Sequence, residues 1–368
     1  MKSKNDSKKS YNASYLLTGF LGVFGLFIYL ILIPSTLSKA KKELNPCTSS
    51  VDVKKCWDKY ESKLGIKDKS EFISETRIKL GTFNLPDSEI VDVKKWLPKP
   101  QTNLNLLVVP DLSARIKASE TCGTCNNPDQ VKNDTILLNH IWDTFKDAVR
   151  LKLNAKDRMV LDVTDGGQAG SIFRTIADDF IFDLSTKKES NNAMYFQKQG
   201  DKFRKSVDSL YKLAVVNPLG ADYWYYFNRN LAHQMKRNTL FDDYRNILII
   251  ITDGYLEAKS IEYTGREELR KAICRDNKNG KNLSEIFIEH HLKITPCDVD
   301  LSNLEILIIE VNERKEPKIV CDFDILKKYW TDWFKSMKVK NAADTDCFLQ
   351  RNDALKQTEE SIDKFIKK

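Results

Sequence analysis

Read for hydrophobic and polar positions, the chain has three regimes. The first is residues 15–34, YLLTGFLGVFGLFIYLILIP, which carry no charge. At 1.5 Å per residue this run is long enough to cross a hydrocarbon core of about 30 Å. It also lacks the polar face that a buried soluble helix keeps. The pattern predicts a membrane-spanning helix behind a basic tail, residues 1–14. A cleaved signal peptide is the alternative, with Ser38 and Ala40 as a small-residue cleavage site. The length of the apolar run favours an uncleaved anchor. Gly19, Gly22 and Gly25 form a small-residue face that could pair two such helices into a homo-oligomer.

The second regime, residues 35–102, reads as a stalk. VKKCWDKYESKLG is a short amphipathic helical pattern, and Pro86, Pro98 and Pro100 interrupt regular structure. The third begins at residue 103 and alternates apolar runs with helical periodicity. LNLLVVP is a continuous apolar strand of the kind buried on both faces of a parallel sheet. NDTILLNHIWDTFKDAVRLKL follows, with Leu138, Ile141, Trp142, Phe145, Ala148 and Val149 at three/four spacing and Asn133 or Asp134 as N-cap. DRMVLDVTDGG is a second strand and DDFIFDLS a short partner, with DGGQAG as the loop between them. Two helical stretches, FRKSVDSLYKLAV and ADYWYYFNRNLAHQM, lead to the strand RNILIIITDG. An insertion, residues 256–303, with one or two helices precedes the strand LEILIIEVNE. DILKKYWTDWFKSM then presents Leu326, Tyr329, Trp330, Trp333 and Met337 on one face. The prediction is an α/β domain over 103–340: an open, mostly parallel sheet with helices on both faces. Residues 341–368 read as a helical extension.

Composition narrows the function classes. Hydrophobic content of 41% and charged content of 30% describe a globular chain. The net charge of +7 comes from 59 basic and 52 acidic residues with no basic–aromatic stripe, so nucleic acid is not an expected partner. All eight cysteines follow the apolar span. With a slight lysine excess before it, they suggest a single-pass protein of the cell membrane with its large C-terminal part outside the cytoplasm. Bridges between sequence neighbours are one of many possible pairings. TCGTC lies in a loop and lacks a second close pair for zinc, so a local bridge between Cys122 and Cys125 is the preferred reading.

The candidate chemistry sits where strands end. Asp111 follows the first long strand and Asp253 the later one, and a hydroxyl, Ser113, stands two residues after Asp111. In an open α/β sheet, ligands bind beyond the carboxyl ends of the strands. Two carboxylates there need a cation, an arginine or a proton between them. An all-oxygen set suits Mg²⁺ or another divalent cation. There is no Walker-type loop, no G-x-S-x-G elbow, and no histidine close in sequence to either aspartate. Catalysis is therefore not expected, and a metal-assisted hydrolase is kept as an alternative.

LLVVPDLSAR followed by ILIIITDGYLE resembles the von Willebrand factor type A (vWA) domain, across roughly residues 103–340. The resemblance implies a Rossmann-like fold and a metal-ion-dependent adhesion site. It also implies a binding activity in which a ligand carboxylate completes the metal's coordination. Carried over by position, Asp111 and Ser113 match the first Asp and Ser of that family's Asp-x-Ser-x-Ser, and Asp253 its late Asp. Asp222, in PLGADYW, stands nearest the family's Thr. The second Ser falls on Arg115, which is no metal ligand. The expectation is a membrane-anchored binding module for an unidentified protein partner, with Asp111, Ser113, Asp222 and Asp253 around a divalent ion. The alternative is a metal-free scaffold closed by Arg115.

Overall fold

The computed structural model describes residues 34–117, 129–152, 155–164, 170–186, 193–239, 242–257, 266–314, 318–352 and 354–368. The predicted span, apart from Pro34, lies outside them, as do its three glycines. Among the described residues no helix is long and apolar enough to cross a membrane. The chain divides into two units, with the boundary between Pro100 and Gln101.

The region read as a stalk with short helices contains four of them, which share one core. It contains helices α1 (Thr36–Leu44), α2 (Ser50–Tyr60), α3 (Ile66–Gly81) and α4 (Asp87–Trp96). Ser35 and Ser49 accept from the backbone N–H groups of Ser38 and Asp52 and so cap α1 and α2. Pro86 stands at the N-cap of α4, where its missing N–H costs nothing. Each helix carries too few apolar positions to form a core alone. Pooled, they bury Val53, Trp57, Phe72, Leu80 and Val93, with Trp57 stacked on Phe72 at 5.6 Å.

The second unit is built on β1 (Thr102–Pro110), α5 (Gln130–Val149), β2 (Arg158–Leu161), α6 (Gly170–Ile176), β3 (Ile181–Asp183), α7 (Ala193–Val216) and α8 (Tyr223–Tyr226). A π turn, Phe227–Leu231, continues α8. Then come β4 (Asp243–Ile251), α9 (Glu267–Lys278), α10 (Leu283–Glu289), β5 (Leu304–Val311), α11 (Asp322–Ser336), β6 (Phe348–Gln350) and α12 (Lys356–Lys367). The six strands form one sheet in the order β3-β2-β1-β4-β5-β6. All neighbours run parallel except β3, which pairs antiparallel with β2.

Alternate residues of the central strands feed two cores. Leu106, Val108, Ile247 and Ile249 pack under α5, α7 and α12, through Trp142, Phe145, Phe203 and Ile362. Leu107, Val109, Leu248 and Ile250 pack on the other face, against Phe227, Ile273, Phe287, Tyr329 and Trp330. Burial on both faces is why these strands read as unbroken apolar runs. β2 and β4 flank β1 on opposite sides, so the crevice between the ends of β1 and β4 is the switch point of the sheet.

Three expectations need correction. Residues 341–368 are not helical throughout, because β6 extends the sheet edge beside β5. Three residues are too few to show a strand period. α5 begins at Gln130, with Asp129 at its N-cap position, so Asn133 and Asp134 lie inside the helix. Sequence neighbours do not pair among the described cysteines: Cys274 of α9 is bridged to Cys321, at the N-cap of α11, with Cα atoms 5.7 Å apart. Cys47, Cys56, Cys297 and Cys347 are free thiols. Cys122 and Cys125 lie outside the described residues, as does most of DGGQAG.

Candidate functional site

β1 delivers Asp111 to the switch point, where its backbone N–H donates to the Ile251 carbonyl at 2.8 Å. The carboxylate is fully engaged. Oδ1 accepts from the Ser113 backbone N–H at 2.9 Å, and Oδ2 accepts from the Thr252 hydroxyl at 2.8 Å. A single 3-10 turn, Ala114–Ile116, follows and swings Arg115 back inward. The Arg115 Nε–H donates to the Asp111 carbonyl at 2.9 Å and lies 3.4 Å from Asp111 Oδ2. Its Nη2 donates to Asp134 at 2.6 Å and to the Ile251 carbonyl at 3.2 Å. Arg115 is only 6% exposed, so the guanidinium is an internal cation.

Asp134 also accepts from Gln130 Nε2 at 2.7 Å and from the Tyr211 hydroxyl at 2.9 Å. Burial raises its pKa, against the pull of Arg115, Gln130 and Tyr211, whose donors favour the carboxylate. Burial alone would lower Arg115, but Asp134 and then Asp111 lift it above the ordinary arginine range. With a contact of 2.6 Å, the ion pair is the state this geometry holds.

Two further acids surround this pair. Asp253, beyond β4, accepts from the Tyr255 backbone N–H at 3.2 Å. Burial and then Asp111 push it up to about 7, with Arg314 and Arg115 acting against them. Glu310, near the end of β5, is fully buried in a left-handed conformation, φ 68°. Burial and then Asp134 raise it to about 7 as well, opposed by Arg351, whose Nε lies 3.7 Å away. The phenol of Tyr223 is buried in the same region. Burial and then Asp111 hold it well above its ordinary pKa, so it stays protonated.

The structure brings Asp111, Ser113 and Asp253 to one sheet edge. Asp222 takes another role as the N-cap of α8, accepting from the Tyr225 N–H at 2.9 Å. Among the described residues no group of three or more His, Cys, Asp or Glu side chains is placed to hold a metal ion. The donor set does not fit a divalent cation either. Both Asp111 oxygens are already hydrogen-bonded, the Ser113 hydroxyl faces the Arg115 N–H at 3.5 Å, and a guanidinium stands where positive charge is needed. Asp111 at 2% exposure and Asp253 at 7% offer no open carboxylate to a substrate. Asp134, Thr252, Tyr223 and Glu310 belong to the site without being singled out by the sequence. Asp134 reads as a helix cap, and Glu310 stands unmarked within the strand LEILIIEVNE. The one available signal was Arg115 itself, a charge in a slot where the resembled family has a hydroxyl.

These features define an α/β sheet protein with an internal guanidinium paired to Asp111 and Asp134 at its switch point. Compared with protein-family models, curated proteins and solved structures, the chain matches none.

Proposed function

We propose that the chain is a single-pass, membrane-anchored, vWA-like scaffold that assembles with a protein partner, its crevice closed by Arg115 instead of a divalent ion. The observation that carries this reading is the Arg115 guanidinium, buried between Asp111 and Asp134. In the resembled family an exchangeable ion links the acids to a ligand. A tethered cation beside Asp111 takes the ion's place at the first of those acids but leaves no coordination position to share. Partner contacts then fall on surfaces other than the crevice, and binding is independent of metal. The uncharged run at residues 15–34 supports the anchor. The bridge between Cys274 and Cys321 supports an oxidising, extracytoplasmic setting for the large domain.

The test is capture of crosslinked partners from membranes with the full-length chain, in EDTA and in Mg²⁺. Equal recovery in both is expected. Loss in EDTA that Mg²⁺ restores would overturn the metal-free reading and return the crevice to an adhesion role.

A further inference from the structure

A second site lies away from the crevice, on the insertion. α10 and the turn after it form one wall of a cleft of about 630 Å³, and α11 forms the other. Its floor is apolar. Phe287 and Leu292 are buried there, and Phe287 is fixed against Tyr329 with ring centroids 4.6 Å apart. Ile288, 74% exposed, extends this apolar surface to the rim.

The rim is cationic. Lys328 lies over the Phe287 ring at 5.8 Å and is paired with Asp332 of its own helix at 2.7 Å. Lys293, in the turn after α10, and Lys335, on α11, both line the cleft, and neither forms an ion pair with a described residue. The nearby acids of α10 are engaged elsewhere: Glu285 closes a capping box with Asn282, and Glu289 pairs with Lys281 at 2.7 Å. The cleft therefore presents two uncompensated ammonium groups above an apolar floor.

We infer that this cleft takes an acidic peptide segment of a partner protein, with an apolar side chain on Phe287 and Leu292 and carboxylates at Lys293 and Lys335. The volume suits a few side chains of a short segment rather than a whole helix. The site is a concavity, which a flat lipid surface would not fill. Charge complementarity supplies orientation and on-rate, and the floor supplies burial. This goes beyond the scaffold reading and is independent of Arg115, so either can fail alone.

The experiment is fluorescence anisotropy with the full-length chain. The probes are labelled peptides alternating Glu with Leu and Phe, the same peptides with Gln or Lys for Glu, and vesicles of anionic phospholipid. Binding of the Glu peptide at least tenfold tighter than the Gln peptide is expected, with no binding of the Lys peptide. Lys293→Glu with Lys335→Glu is expected to weaken the Glu peptide tenfold or more, with an unchanged circular dichroism spectrum. Lys205→Glu, on α7 at the other face of the sheet, is expected to leave it unchanged. The inference is overturned if the Glu peptide does not bind, if Glu and Gln peptides bind alike, or if Lys205→Glu weakens binding as much as the double variant. It is also overturned if the two lysines govern vesicle binding and not peptide binding.

Discussion

Arg115 decides what the switch point can do. A charge buried at this depth is tolerated only when paired, and breaking such a pair from one side typically costs about 3–5 kcal/mol. Arg115→Met is expected to lose stability in that range, because it strands Asp134 and removes the cation beside Asp111. Arg115→Met with Asp134→Asn is expected to cost clearly less than the sum of the single changes, as read from urea midpoints in a double-mutant cycle. Simple additivity would mean that the two residues do not act as a pair. Asp253 carries a separate prediction. Its folded value, about 7, lies above the ordinary 3.8. Between about pH 4 and about pH 7 the folded state therefore keeps a proton that the unfolded chain has released. Stability falls as pH rises through that window and levels off above it. Glu310, raised from 4.5 to about 7, acts in the same direction. Glu305 acts in the opposite one. Its carboxylate, hydrogen-bonded by Arg245 and Lys340, prevails over burial and is lowered to about 2, so its contribution is lost as pH drops below about 4. Asp253→Asn keeps the acceptor for the Tyr255 N–H and removes the charge. It is expected to be more stable than wild type at pH 8, by no more than about 4 kcal/mol, to keep a smaller advantage at pH 5, and to match it only below about pH 4. Superimposable pH profiles for the two proteins would contradict this account of Asp253.

The helices beyond the switch point are held by chemistry as well as packing. The Cys274–Cys321 bridge joins α9 to the start of α11, and beside it Arg270 and Asp322 form a buried pair at 3.1 Å. The Tyr255 hydroxyl donates to the same Asp322 at 2.8 Å, which ties the segment after Asp253 to this cluster. Replacing both cysteines by serine is expected to lower stability by about 2–4 kcal/mol, with reductant giving the same loss in wild type and none in the variant. A wild-type urea midpoint indifferent to reductant would mean that the bridge holds nothing. Much of this frame was legible in the sequence. The long strands announce themselves as unbroken apolar runs because they are buried on both faces. α5 and α11 do so by three/four spacing: Leu138, Ile141, Trp142, Phe145, Tyr329 and Trp330 are all core residues. What escaped was nonlocal. β6 is too short to show a period, and the helices of 34–100 share a core that none of them declares alone. Asp111, Ser113 and Asp253 were legible as strand-end residues. Asp134 joins them only because a turn points Arg115 back at α5, which no local pattern records.

For the whole molecule, topology and the closed crevice make one account. An anchor at residues 15–34 with the rest outside the cytoplasm would place the α/β domain where bridges persist and partners are other envelope proteins. Protease added to intact cells with a permeabilised outer envelope is expected to degrade residues 41–368; protection until lysis would reverse the orientation. The central claim, that an internal arginine replaces an exchangeable ion, is tested most directly by thermal unfolding of wild type and Arg115→Ser, each with EDTA and with Mg²⁺ or Mn²⁺. The account predicts a wild-type melting temperature unmoved by metal. It also predicts a lower one in Arg115→Ser, which restores the Asp-x-Ser-x-Ser pattern, partly recovered when metal is added. A rise in the wild-type melting temperature on adding metal, abolished by Asp111→Ala, would contradict it.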